Sequence, residues 1–211
     1  MTRRSHECRA DATTRPIKRP IGTTHQMNTQ EAKALLDDSE VLFTAAEVDA
    51  ATSRVAIEIN RDYADKHPLV LGVMGGAVVF SGQLLTQLDF PLDFDIVQAS
   101  RYGENTVGTH LTWRVTPRDN VKGRHVLLLD DILDEGVTLA AIVDLLRSQG
   151  ALSVECAVFC VKDYGEEINS KKPLKARYVG LTVPNRFIYG YGMDVSGAWR
   201  NLPAIYAKKG N

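Results

Sequence analysis

The stretch VLLLDDILDEGVTLAAIVDLL, residues 126–146, constrains the fold more than any other part of the chain. Its first four residues are aliphatic without alternation, the pattern of a strand buried on both faces, as in a parallel sheet. Farther on, Leu139, Ile142, Val143 and Leu146 stand at i, i+3, i+4 and i+7, which predicts a helix with one buried face, and Gly150 is placed to stop it. The reading is a strand over 126–129, a loop over 130–138 and a helix after it. Asp130 and Asp131 then sit where strand gives way to loop. Ligands of open α/β sheets bind beyond the carboxyl ends of the strands, so these two acids are candidate site residues.

The rest of the chain fits the same architecture. Asn28 with Glu31, and Thr44 with Glu47, have capping-box spacing, and the second pair precedes the periodic Val48, Ala51, Val55 and Ile59, so two helices are expected. After a turn at Lys66-His67-Pro68, LVLGV reads as a buried strand, Gly75-Gly76 as a tight loop and Ala77 to Leu88 as a helix. FDIVQAS (94–100) is a strand, RYGENTVGTH (101–110) a polar mobile segment, LTWRV a further strand, and 152–161 and 177–183 complete the alternation. The class is α/β, with a mainly parallel sheet flanked by helices. A chain of 211 residues, 44% hydrophobic, suffices for one such domain, read as 27–211.

Residues 1–26 lack apolar periodicity and read as a disordered tail, an extension ahead of Met27, with an Arg-rich organelle transit segment as the alternative. They carry six Lys or Arg against Glu7 and Asp11, so the overall charge of -1 leaves the remainder at -5, which disfavours a nucleic-acid footprint. Cys8, Cys156 and Cys160 make no disulfide framework, no secretory signal is present, and a cytoplasmic location is expected. The five histidines show no metal-ligand spacing.

Chemistry concentrates in residues 130–138. Backbone N–H groups at a helix start, a glycine and the Thr138 hydroxyl suit a phosphate. Asp130 and Asp131 would repel one, so they accept hydrogen bonds from a sugar diol, face Mg²⁺ through water, or merely charge a helix entry. Neither G-x-x-x-x-G-K-[ST] nor G-x-G-x-x-G occurs. A phosphohydrolase using Asp130 or Asp134 as nucleophile stays open.

DDILDEGVTL resembles the phosphoribosyl diphosphate signature of the type I phosphoribosyltransferases. VMGGAVVFSGQLL, from Val73, is similar to that family's pyrophosphate loop and following helix, and SRYGENTVG, from Ser100, to its closing loop. VKDY, FIYGYGMD and WRNLP resemble the purine-binding and C-terminal elements of its hypoxanthine-guanine branch, and the likeness spans about residues 30–206. It implies the type I phosphoribosyltransferase fold, with a small hood built from both chain ends. The implied activity is transfer of the phosphoribosyl group of 5-phosphoribosyl 1-diphosphate (PRPP) to hypoxanthine or guanine, with Mg²⁺ and with self-association as a homodimer or homotetramer.

The same resemblance implies roles. Asp130 and Asp131 hold the ribose hydroxyls with Mg²⁺ near, while Asp134, Glu135, Gly136, Val137 and Thr138 cradle the 5′-phosphate. Asp134 also lies beside purine N7 as proton acceptor, Lys162 donates to the 6-oxo group, Phe187 stacks on the base and Ile188 meets it through the main chain. Asp194 faces a second Mg²⁺, and Met74, Gly75, Ser100, Arg101, Tyr102 and Arg200 serve the pyrophosphate. Three positions depart from the family pattern: Met74 and Val137 where members offer lysine, and Glu135 where Ser or Thr is common. Glu135 is therefore expected to point to solvent, and the resemblance implies a peptide at Met74 that is often cis in the family, while the sequence itself does not say whether Val73–Met74 or Met74–Gly75 is cis. A regulatory nucleic-acid-binding protein of the same fold is the remaining alternative, without the basic face or winged-helix segment such proteins carry.

Overall fold

The computed structural model describes residues 27–102, 110–117 and 121–210. In chain order the elements are α1 (Thr29–Asp37), β1 (Ser39–Phe43), α2 (Ala45–Tyr63), β2 (Leu69–Val73), α3 (Val78–Leu85), β3 (Asp93–Tyr102) and β4 (His110–Val115). They continue as β5 (His125–Leu133), α4 (Val137–Ser148), β6 (Ser153–Asp163), α5 (Glu166–Asn169), β7 (Tyr178–Pro184), β8 (Ile188–Tyr189) and β9 (Ile205–Lys208).

Both capping boxes form. Asn28 Oδ1 accepts from the Gln30 and Glu31 N–H groups at 2.9 Å while Glu31 Oε2 accepts from the Asn28 N–H at 2.8 Å. Thr44 and Glu47 repeat the exchange at 3.3 and 2.8 Å. Orphan donors at both helix starts are thereby satisfied, and Val48, Ala51, Val55 and Ile59 of α2 are buried as their spacing requires.

Six strands form the main sheet in the order β4-β3-β2-β5-β6-β7, all parallel except the β3–β4 pair. Alternate residues of the central strands feed two cores: Val70, Leu127, Leu129 and Phe159 pack beneath α2 and α3, and Leu69, Val126, Leu128 and Val158 pack against α4. Cys156 and Cys160 are free and buried, small hydrophobes in that packing. A second sheet, β1-β9-β8, is antiparallel and joins the start of the described chain to its end, which is the hood.

Several element bounds differ from the sequence reading. β5 runs on through Leu133, so Asp130 and Asp131 lie inside a strand. β2 leaves the ladder at Gly72↔Leu129, but Asp130, Ile132 and Leu133 still pair with Val158, Cys160 and Val161 of β6. The acids thus stand where β5 has lost one neighbour and kept the other. α4 starts at Val137, which shrinks the loop to 134–136, and α3 stops at Leu85. Ser100, Arg101 and Tyr102 extend β3 opposite Thr112, Leu111 and His110. The remainder of the expected closing loop, 103–109, and the tail 1–26 fall outside the described residues. β1 was not anticipated, because its partner β9 lies at the other end of the chain.

An ionic cluster fastens the end of α2 to β7. Asp62 accepts from Arg177 at 2.8 Å, from the Tyr178 hydroxyl at 3.0 Å and from Arg61 at 3.0 Å. Arg177, then Arg61, hold its carboxyl down at about 2. A depressed folded-state pKa contributes stability that is present above the ordinary carboxylate range and is lost as pH falls through the folded value. Asp62→Asn is expected to lower the melting temperature at about pH 7, with the gap to wild type closing as pH falls from about 4 to about 2. Thermal melts across that range decide it; a gap that stays constant contradicts the assignment.

Candidate active site

The site grows from the frayed edge of β5. Beyond Leu129 the place beside the strand is taken by the turn after β2, whose Met74–Gly75 peptide is cis, a point the sequence left open. Gly76 faces Asp131 so closely that a Cβ there would lie 1.7 Å from Asp131 Oδ2, and any side chain would displace that carboxylate. Gly192, in the hood, is more constrained, since it has φ +102° and its Cβ would meet the Gly76 carbonyl oxygen at 2.2 Å. Hood and turn therefore touch backbone to backbone beside Asp131.

Asp130 Oδ1 accepts from the Asp131 N–H at 3.0 Å, and Asp131 Oδ1 from the Ile132 N–H at 2.8 Å. Each side chain keeps some contact with solvent in a pocket while protein crowds it on the other sides. Burial, then the neighbouring Asp131 charge, push the Asp130 carboxyl well above the usual range, and burial pushes Asp131 up too. The pair calls for a proton or a cation.

Asp130 and the run Ile132 to Leu139 line a pocket of about 210 Å³ over the start of α4. Gly136, at φ +81°, caps that helix without a side chain, so the first-turn N–H groups are left to a ligand. All five residues expected to cradle a phosphate are here, and Glu135 is exposed at the rim.

A second pocket, about 190 Å³, shares Ile132 and Asp134 with the first. It adds Asp131, Lys162 from β6, Phe187, Ile188 from β8, and Met193 with Asp194 from the hood. Lys162 Nζ lies 3.3 Å from Asp134 Oδ2. Phe187 is 56% exposed, whereas Ile188 is buried. Asp194 accepts from the Gly197 N–H at 2.7 Å and pairs closely with Arg200, which also donates to the Gly192 carbonyl at 2.5 Å.

The hood is anchored from behind. The Tyr191 hydroxyl, fully buried, meets Thr52 Oγ1 at 2.8 Å and Gln83 Oε1 at 3.0 Å, and Trp199 Nε1 donates to the Ala32 carbonyl at 2.8 Å. Met74, Gly75 and Arg200 line neither pocket; the first two belong to the turn, and Arg200 reaches the second pocket through Asp194. Tyr164 was not singled out from sequence as a site residue, yet its hydroxyl donates to Asp134 Oδ1.

The donor set suits Mg²⁺. Among the described residues no three His, Cys, Asp or Glu side chains form a ready metal cluster. Asp131 and Asp194 nevertheless open onto one pocket with Asp130 adjacent, and Mg²⁺ is held through one or two carboxylates plus substrate phosphates.

Comparison with known proteins agrees with this geometry. The phosphoribosyl transferase domain family matches residues 40–196. The chain is 34% identical over 170 residues to the hypoxanthine-guanine phosphoribosyltransferase of Bacillus subtilis, covering 80% of this chain and 92% of that protein. It is 34% identical over 172 residues to the hypoxanthine-guanine-xanthine phosphoribosyltransferase of Tritrichomonas foetus, covering 81% and 92%. A solved hypoxanthine phosphoribosyltransferase from Staphylococcus aureus superposes with a TM-score of 0.75 at 28% identity, covering 83% of this chain and 95% of that one.

Proposed function

This chain belongs to the phosphoribosyl transferase family, and we propose that it is a purine salvage enzyme converting hypoxanthine or guanine and PRPP to IMP or GMP and pyrophosphate. The observation that supports the reading is the pair of joined pockets, one over the start of α4 and one lined by Lys162, Asp134 and Phe187. Their shared wall, Ile132 and Asp134, is where ribose and base would meet.

In the reaction the C1–oxygen bond of PRPP breaks as a purine ring nitrogen bonds to C1, through an oxocarbenium-like transition state. Proximity and charge placement do most of the work. The N–H groups at the start of α4 and the Thr138 hydroxyl bind the 5′-phosphate, and Asp130 and Asp131 accept from the ribose hydroxyls. Lys162 donates to the 6-oxo group, Phe187 covers the ring and Ile188 meets it through its main chain. Asp134 accepts the proton that the ring loses. Met74, Gly75, Ser100, Arg101, Tyr102 and Arg200 serve the pyrophosphate, with Arg200 exchanging Asp194 for it. Asp131 and Asp194, with Asp130 close by, would hold Mg²⁺, which when bound would supply charge neutralisation of the leaving pyrophosphate.

The two alternative readings find no support. The relatives and the family model that match this chain are named as phosphoribosyltransferases, and none of those reported above is an aspartyl phosphohydrolase or a nucleic-acid-binding regulator. Self-association as a homodimer or homotetramer belongs to the same reading, with exposed Val78, Phe94 and Ile96 on α3 and β3 as surface for it to cover. Free buried Cys156 and Cys160 suit a cytoplasmic location, and no helix among the described residues is long and apolar enough to cross a membrane.

Lys162→Met tests the reading. Loss of a charged donor to a buried carbonyl is expected to raise KM for hypoxanthine and guanine by roughly 10- to 100-fold, with PRPP binding preserved. Steady-state kinetics with direct PRPP titration separates the two; equal losses for both substrates contradict the 6-oxo contact.

A further inference from the structure

We propose that Tyr164 is a positioning residue for the chemical step, holding the Asp134 carboxylate in the orientation that receives the purine proton. The proposal rests on the transferase reading above and adds to it a residue that this reading leaves without a role.

The Tyr164 hydroxyl donates to Asp134 Oδ1 while Lys162 Nζ stands 3.3 Å from Oδ2, so each carboxylate oxygen has one partner. A carboxylate oxygen has two acceptor sites, and one on each atom remains for the base. Tyr164 does not line the cavity formed by Asp131, Asp134, Lys162, Phe187 and Asp194. Its hydroxyl therefore reaches Asp134 from outside, supporting the acid without taking the place of the ligand. Burial, then the bond to Asp134, raise the phenol to about 12, so it stays a donor wherever the enzyme works.

Tyr164 is itself fixed. Its ring lies 5.9 Å from Lys162 Nζ and 5.1 Å from Lys172 Nζ, and Lys172 Nζ donates to the Lys162 carbonyl at 2.5 Å. Asn169 Oδ1 accepts from the Tyr164 N–H at 3.2 Å, and Asp163 Oδ1 accepts from the Gly165 N–H at 2.8 Å and from Asn169 Nδ2 at 2.6 Å. The turn after β6 is thus knitted around one hydroxyl, which ends on Asp134. A bare carboxylate rotates about its side-chain bonds; one held by Tyr164 and Lys162 is already aligned, and alignment of this kind is worth up to about 10² in rate.

The experiment is a double-mutant cycle of Tyr164→Phe and Asp134→Asn in the full-length protein, read as kcat and as KM for PRPP and hypoxanthine. Tyr164→Phe keeps the ring between the two lysines and removes only the donor. It is expected to lower kcat by about 10-fold, to leave KM for PRPP within about 2-fold, and to add almost nothing once Asp134 is Asn. An unchanged kcat in Tyr164→Phe, with Asp134→Asn strongly impaired, overturns the proposal alone. Equal losses from Tyr164→Phe in both backgrounds also overturn it, since the tyrosine would then act independently of Asp134. Near-normal turnover of Asp134→Asn overturns the proton-acceptor reading, and this proposal with it.

Discussion

Asp134→Asn is expected to reduce kcat by roughly 10² to 10⁴, the range lost when a general base is removed, with little change in PRPP affinity. Asparagine keeps the size of the side chain and an oxygen that can accept from Tyr164 or Lys162, so the fold around it has no reason to change. What disappears is basicity. Asp134 lies in both pockets, but its neighbours in the second, Lys162 and Phe187, are the groups proposed to recognise the base. Loss should therefore fall on the chemical step. Single-turnover and steady-state rates at saturating hypoxanthine, with PRPP titrated separately, give the answer. A variant that turned over normally would reduce residues 134–138 to a phosphate cradle.

The second large effect has two opposite parts. Asp130→Asn should weaken PRPP binding by about 10-fold or more, because it removes an acceptor and a charge from the end of the site proposed to hold ribose and metal. It should also make the ligand-free protein more stable near neutral pH. Asp130 is raised by burial and by Asp131, so the folded state retains a proton that the unfolded chain has already released. Stability therefore falls as pH climbs from the ordinary carboxylate range through the raised value, and a neutral amide escapes that loss. A gain of about 1 kcal/mol would appear as about 2–4 °C in melting temperature for a chain of this length. Mg²⁺ with PRPP should stabilise the wild type more than the variant and reverse the order. Calorimetry with and without ligand measures both parts; a variant less stable than wild type in the absence of ligand contradicts the account of the acid pair.

Local signals in the sequence carried the helices well. Capping boxes at Asn28 and Thr44, and the apolar spacing in α2 and α4, depend on residues three or four positions apart, and all reappear in the structure. The strand bounds were harder. After Leu129 the pattern turns acidic, and aspartate is poor in strands, so β5 reads as finished; its continuation is decided by β6, a partner that local pattern does not reveal. β1 depends in the same way on β9.

The candidate site was legible where motifs are contiguous, as in residues 130–138, and less so where two segments meet. The closeness of Gly76 to Asp131 and of Gly192 to Gly76 joins three separate stretches of chain. Tyr164 left a signal that went unused. It follows Lys162 by two positions, one residue past the end of β6, in the strand-to-loop junction where site residues of such sheets gather.

The central claim is that this chain transfers a phosphoribosyl group to a 6-oxopurine. Its most direct measurement is pyrophosphate release from PRPP and Mg²⁺ with hypoxanthine, guanine, xanthine, adenine or uracil supplied singly, alongside identification of the nucleotide formed. Release should require a base, should be supported by hypoxanthine or guanine with IMP or GMP appearing in equal amount, and should fail with adenine and uracil. Release with uracil alone or without any base, or liberation of phosphate from simple monoesters, would contradict it.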